Sequence, residues 1–420
     1  MKKILLLGGS EQQVNAIEVA RRLGYYTVLC DYLSDNPGRC VAHKFYLVST
    51  TDKDAVLNVA RKEKINGILA FASDPAAPTA AYVAEQLDLP GNPYKAVDIL
   101  CNKDKFRKFL SENGFSAPNA YAFNNIDDAL QKKDVFKRPS IIKPVDSSGS
   151  KGTTVLYSFE GLKDALEFAF SFSRCHRVIV EDYIDKKHHY LIGGDIFIID
   201  GEIVLWGLLN CHRDKDVNPL VPVGKSYPIQ LVKEDIEKVK ETLKNIVGKL
   251  GIKNGEMNVE LVIDKYGLVW PIDIGPRAGG NMIPNLLGDI FNVDIVEMSL
   301  QAAMGDKVIC TAKEPDCFFA TYNLHSDKEG IYKTVIFSAL LEHYIYRRVL
   351  YKKPGDRIAY FDNASKCLGI IFMKFGDRET QERIMNSMKD NINIVLSRGG
   401  KSLKVNSWQA ISVFETGVAA

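Results

Sequence analysis

Four short apolar runs punctuate the first hundred residues: Lys3–Leu7, Tyr26–Asp31, Phe45–Val48 and Gly67–Ala72. Amphipathic stretches of helical period lie between or after them, from about Gln13 to Leu23, Asp52–Lys62 and Pro78–Leu87. Strands joined through helices of this length predict a parallel sheet with right-handed crossovers rather than hairpins. Ser73-Asp74 then stands at the carboxyl end of its strand, where open parallel sheets collect ligands. Gly8-Gly9-Ser10 follows the first strand, but the dinucleotide fingerprint G-x-G-x-x-G is absent. A tight strand-to-helix turn is the plainer reading, with an anion or substrate group at that helix start as the second.

At 420 residues the chain has room for two to four domains, and 46% hydrophobic with 25% charged residues is ordinary globular composition. Lys plus Arg total 54 against 52 Asp plus Glu, so an extended nucleic-acid surface is not expected, although a local phosphate pocket is compatible. No apolar run approaches the ~18 residues of a membrane span, and Ile4–Leu7 stops at Gly8-Gly9, short of the roughly 7–15 residues of a secretory signal core. The expectation is a soluble cytoplasmic protein with neither nucleic-acid nor membrane partners. Its eight cysteines are scattered without a C-x-x-C pair, which points to reduced thiols rather than zinc or a redox dithiol.

Beyond residue 100 the pattern shifts to mixed α+β. Helices are expected over Lys103–Asn113, Leu162–Phe172 and Glu234 to Leu250, and a hairpin turns at Asp200-Gly201. The stretch His212 to Pro222 reads as a loop, and the last hundred residues carry strand-like runs at Phe318–Leu324, Ile331–Phe337, Arg357–Tyr360 and Gly369–Met373, then a polar helix near Thr380 to Met388. Asp146 to Gly152, rich in glycine and serine, follows the apolar strand Ile141–Lys143. Small residues let backbone amides wrap a phosphate chain, but no Walker A loop fits, and alone the stretch reads equally as a mobile surface loop. Lys143 strengthens the phosphate reading, because an ammonium inside an apolar strand needs an anion; a snorkelling edge lysine is the alternative.

Glu260 and Asp273 sit on consecutive apolar strands, Met257–Ile263 and Leu268–Ile274. Two carboxylates on one face would repel, so a divalent cation between them is the economical account, with an exposed hairpin carrying incidental acids as the alternative. Hard oxygen ligands beside phosphate favour Mg²⁺. Arg277, in the glycine-rich turn Gly275–Asn281, is placed to stabilise a charged intermediate.

Lys103, Lys143 with its glycine loop, Val180–Ile184, Glu260 and Asp273–Arg277 occur in an order and spacing that resembles the ATP-grasp superfamily, and the N-terminal sheet resembles the domain preceding that fold in biotin carboxylase, carbamoyl-phosphate synthase and purine-pathway ligases. The resemblance implies an α/β pre-ATP-grasp domain over 1–101. An ATP-grasp domain over 102–310 follows, with a mobile lid at about 116–184, and an α+β closing domain over 311–420. It implies that Lys103 and Lys143 contact ATP phosphates, that Ser147, Ser148, Gly149, Ser150 and Lys151 form the lid loop, and that Glu181 with the backbone of Asp182 and Ile184 reads adenine. Glu260 and Asp273 would bind Mg²⁺ or Mn²⁺, and Arg277, with Lys143, would serve the reacting acyl phosphate. The sequence departs from the family at two positions: His188 stands where members hold the ribose with Glu, and Gly275 stands where many carry Asn. Asp74, Arg213, Lys225 and Asn281 are candidates for the acceptor site.

The activity so implied is an ATP-dependent ligase that joins a small-molecule carboxylate to an amine through an acyl phosphate, with a homodimer as a family-level expectation. Two alternatives stand beside it: a purine-pathway-like enzyme using bicarbonate or formate, and a nucleotide-binding regulatory protein that has lost turnover.

Overall fold

A computed structural model describes residues 1–398 and the short strand at 401–402. In the N-terminal region β1 (Lys3–Leu7), β2 (Tyr26–Asp31), β3 (Lys44–Leu47) and β4 (Gly67–Leu69) form a parallel sheet of order β3-β2-β1-β4. Side chains alternate between its faces, and both are buried: Leu5 and Leu7 join one apolar core, Ile4 and Leu6 another. β4 is shorter than the expected Gly67–Ala72, because Ala72 turns to a positive φ of 50° and leads the chain out toward Asp74. Gly67 is a site of close approach, where a Cβ would lie 2.3 Å from the Ala303 carbonyl at the end of the helix Ile295–Ala303.

A second, antiparallel sheet of order β5-β8-β6-β7 follows, built from β5 (Ala120–Phe123), β6 (Ser140–Pro144), β7 (Thr154–Leu156) and β8 (Val178–Asp182). The helix Leu162–Phe172 covers it, burying Leu162, Ala165, Leu166 and Ala169.

The centre of the molecule is an eight-stranded sheet. β9 (Leu191–Ile199) and β10 (Glu202–Asp214) turn at Asp200-Gly201, both at positive φ as a two-residue hairpin requires. β10 continues to Asp214 and returns as β11 (Asn218–Tyr227), so the stretch expected as a loop is a hairpin. Its alternation was masked by the Arg-Asp-Lys-Asp run at 213–216 and by Pro219 and Pro222. β12 (Gly255–Ile263) and β13 (Val269–Gly275) complete one side, and the helix Lys233–Leu250 packs Val239, Leu243 and Ile246 beneath them.

The C-terminal strands do not form a separate layer. β14 (Phe318–Leu324) hydrogen-bonds to β11 and β18 (Gly369–Phe375) to β14, while β15 (Gly330–Phe337) and β17 (Arg357–Ile358) belong to a small sheet. Two strands were not foreseen: β16 (Ile345–Leu350), at the far edge of the large sheet, and β19 (Ile392–Arg398), paired with β15. The central order is therefore β13-β12-β9-β10-β11-β14-β18-β16. One apolar cluster joins Phe197, Leu209 and Leu287 to Phe319, Phe372 and Met385.

Because that core is shared, Phe372→Ala should cost about 3–5 kcal/mol, as large-to-small changes of fully buried aromatics do. Amides of β9–β12 should lose hydrogen-exchange protection together with those of β14 and β18. Loss confined to β14–β18 would show two independently stable units.

Candidate functional site

The helix Lys103–Glu112 places Lys103 and Arg107 one turn apart on its buried face. Arg107 forks onto Glu181 of β8, Nε to Oε2 at 3.0 Å and Nη2 to Oε1 at 3.3 Å. Lys143 of β6 reaches the same carboxylate. The three side chains are almost wholly buried. Burial pushes the Lys143 ammonium down from its usual pKa, while at Glu181 burial is outweighed by Arg107 and Lys143, which hold the carboxyl at about 2. Arg107 also donates to the Ile272 carbonyl at 2.7 Å. Ile272 is the extra residue of a β-bulge, for Glu260 pairs with Asp273 and Leu261 with Pro271. One guanidinium thus ties the second sheet to the edge of the central one beside Asp273.

The bulge leaves Glu260 and Asp273 directly opposite each other, hence on one face. Their side chains are partly exposed, Glu260 at 27% and Asp273 at 38%. Lys103 Nζ lies 3.6 Å from Asp273 and donates to the Ser147 carbonyl at 2.6 Å, while Arg213 lies 3.7 Å from Glu260. Two opposed carboxylates open to solvent suit a hard cation that keeps waters and takes phosphate oxygens as well. Among the described residues no cluster of three or more acidic, His or Cys side chains forms a fuller metal cage.

The loop Asp146–Gly152 lies folded down rather than splayed. Ser150 donates to the Leu220 carbonyl of the β10–β11 hairpin at 2.9 Å, and Ser147 donates to the Lys151 carbonyl at 3.2 Å. Gly149, Ser150 and Gly152 are at positive φ, and a Cβ on Gly152 would meet Pro144 at 2.9 Å. Beyond β8, Asp182 is held by Asn119 at 2.7 Å and Lys137 at 3.4 Å. Ile184 is half-buried just past the strand end.

His188 is committed elsewhere. Its Nε2 accepts the Ile263 amide at 2.9 Å, and Nδ1–H donates to the Tyr190 carbonyl. Burial lowers its pKa, which favours this neutral tautomer. A ribose contact by the ring would require breaking one of these bonds, so the structure gives His188 the task of bracing β12.

Arg277 forms a fork with Asp74 of the N-terminal region, with Nε–Oδ1 at 2.8 Å, and donates from Nη1 to the Ala278 carbonyl. Burial alone would raise the Asp74 pKa, but Arg277 and Lys103 bring it below the usual value. Of the other acceptor candidates, buried Lys225 points at Cys211 Sγ, 2.6 Å away, over the bare face of Gly193. The Asn281 amide is engaged by Gln12.

The sequence reading missed two groups. Arg107 stood one helical turn from Lys103, the signal that could have revealed it. Asp195, alone in the apolar run of β9, gave the same signal as Glu260 and Asp273. Its carboxylate accepts from the Gly279 amide at 2.8 Å and Asn258 at 2.7 Å. Burial raises the pKa of Asp195 and, with the Asp195 charge, that of Glu256.

Residues 136–285 match the ATP-grasp domain family, an interval that runs from β6 past Arg277. The chain carries an ATP-grasp domain. It is 28% identical over 309 residues to the carbamoyl phosphate synthase large chain of Clostridium botulinum, across 70% of this chain but only 27% of that protein. The chain therefore spans about a quarter of the length of that relative. It is 27% identical to the formate-dependent phosphoribosylglycinamide formyltransferase of Sulfurisphaera tokodaii, over 66% of this chain and 70% of that one. An L-amino acid ligase from Bacillus licheniformis shares the fold, with a TM-score of 0.79, 20% identity, and 95% and 99% of the two chains covered. The matched interval takes in β6–β8 of the second sheet and β9–β13 of the central one.

Arg107→Met should destabilise the protein by about 3–5 kcal/mol at pH 7, because it strips one partner from a buried carboxylate. The Glu181 pKa falls on folding from 4.5 to about 2, so its stabilisation is complete above about pH 4.5 and is lost as the pH falls toward 2. The gap between wild type and variant should narrow over that window in urea titrations. A gap constant with pH would remove Glu181 from the account.

Proposed function

We propose that this protein is an ATP- and Mg²⁺-dependent ligase that joins a small-molecule carboxylate to an amine. The observation that carries the reading is the convergence at one end of β12 and β13: Glu260 opposite Asp273, Lys103 beside them, and Arg277 following the same strand. A carboxylate oxygen attacks the terminal phosphorus of ATP, and the bond to ADP breaks. The amine nitrogen then attacks the acyl carbon, phosphate leaves, and the nitrogen loses a proton to solvent. Such chemistry needs positioning and charge neutralisation rather than a side-chain nucleophile.

In this reading Lys103 and Lys143 face the phosphates, Ser147–Lys151 covers them, and the backbone around Asp182 and Ile184 receives the base. Glu260 and Asp273 hold Mg²⁺, which neutralises phosphate charge when bound. Glu181 acts chiefly through Lys143, whose orientation it fixes. His188, engaged with backbone on both ring nitrogens, has a structural task in this reading and contributes nothing to the ribose.

A second reading, with formate as the carboxylate, draws on the similarity to the formyltransferase, which extends over 70% of that protein. An ADP-release screen over carboxylate and amine pairs distinguishes them: turnover that needs formate selects the second, and no turnover with any pair rejects both.

Glu260→Gln and Asp273→Asn should each raise the Mg²⁺ needed for half-maximal ADP release tenfold or more, about 1.4 kcal/mol per factor of ten. Melting temperatures should be little changed, since both side chains are partly exposed. Early melting with an unaltered Mg²⁺ requirement would assign both acids to the hairpin alone. A non-hydrolysable ATP analogue with Mg²⁺ should also slow protease cleavage within 146–152. Equal cleavage with and without it would contradict a lid.

A further inference from the structure

Asp74 reaches the ATP-grasp domain from outside it. It follows β4 of the parallel sheet, yet its carboxylate lies against the guanidinium of Arg277, 203 positions later in the chain. The space it occupies exists because residue 275 has no side chain. A Cβ built on Gly275 would lie 2.6 Å from Asp74 Oδ1 and 3.0 Å from Arg277 Cζ. Gly275 has no positive φ, so its backbone does not call for glycine; the crowding above it does. Where the resemblance leads one to expect Asn, this chain has an empty position filled by an acid from another part of the molecule.

The pair is also buried. Arg277 and Asp74 side chains are only 12% and 20% exposed. Arg277 has its third arm on the Ala278 carbonyl, and its own amide closes a tight turn onto the Gly275 carbonyl at 2.8 Å. Asp74 in turn lies near Lys103, whose ammonium donates to the Ser147 carbonyl of the glycine-rich loop at 2.6 Å. A fork of this kind fixes the plane as well as the place of a guanidinium.

Resting on the ligase reading, we infer that Asp74 is the positioning residue for Arg277: the N-terminal region aims the arginine at the reacting phosphate through the gap left by Gly275. Lys103, beside Asp74 and bonded to the Ser147 carbonyl, makes that aim sensitive to the position of the loop. The arginine is then correctly oriented only when the parallel sheet, the loop and β13 are together, so ATP hydrolysis without a seated substrate is restrained.

Asp74→Asn, Gly275→Ala, Asp74→Ala and the double variant Asp74→Ala with Gly275→Ala test this. Asp74→Asn keeps the shape but loses the charge, and kcat should fall about tenfold or more with KM for ATP within about twofold, the pattern of a group acting in the transition state. Gly275→Ala should lower kcat by a similar factor in the native background and by less than about twofold when Asp74 is already Ala, because the added methyl then meets only the end of the Arg277 side chain, no longer pinned by Asp74 and free to shift. The same cycle read by melting temperature requires no turnover: Gly275→Ala should shift it in the native background and hardly at all beside Asp74→Ala. Additive effects in that melting cycle, or an unchanged kcat in Asp74→Asn, overturn the inference. If the native protein turns over no carboxylate and amine pair, the ligase reading fails, while the melting cycle still decides whether Asp74 and residue 275 compete for one space.

Discussion

Arg107, Lys143 and Glu181 meet where three elements would otherwise be free to move: the helix Lys103–Glu112, strands β6 and β8, and the bulged edge at Ile272. A carboxylate taken this far from water is tolerable only with both cations in place. Their geometry therefore sets the separation between the second sheet and the central one. Lys103, one turn from Arg107, inherits its position beside Asp273 from that clasp, and the carbonyl of Ser147 inherits its position from Lys103. Much of the site is fixed indirectly, through a clasp whose side chains are almost wholly buried.

Strand and helix periodicity made the parallel N-terminal sheet legible, as well as the hairpins at Asp200-Gly201 and Asp264–Gly267, because apolar alternation and turn residues are local signals. The opposition of Glu260 and Asp273 was also legible, since a charge within an apolar strand demands an explanation. What could not be read was set by distant partners. Asp74 reads as an acceptor-site candidate at a strand end until Arg277 is found against it, and Gly275 reads as a departure from the family's Asn until the space above it is seen to be full. His188 looked like a failed ribose contact, yet Ile263 and Tyr190 occupy its ring. The β10–β11 hairpin was hidden by charge and proline at its tip, and β16 and β19 by the weak alternation of short strands.

The two buried charge systems answer different needs. The clasp at Glu181 sets one carboxylate between two cations, whereas Asp195 and Glu256, two acids whose pKa values burial raises, lie together under the glycine turn at 279. Asp195 holds the Gly279 amide, while the Arg277 fork itself is taken by Asp74. Backbone on either side of Arg277 is thereby anchored before its side chain is considered.

The central sheet ends in two different ways. At one margin β13 carries Pro271, which has no amide to offer, next to the bulge at Ile272. At the other, β16 places Arg347 and Arg348 in succession beside a register shift opposite Phe372. Proline, bulges and adjacent charges are features that discourage a foreign strand from adding to an exposed margin. Continuation of this sheet into a second copy is disfavoured on both sides. Self-association, where it occurs, draws on other surfaces than the margins of this sheet.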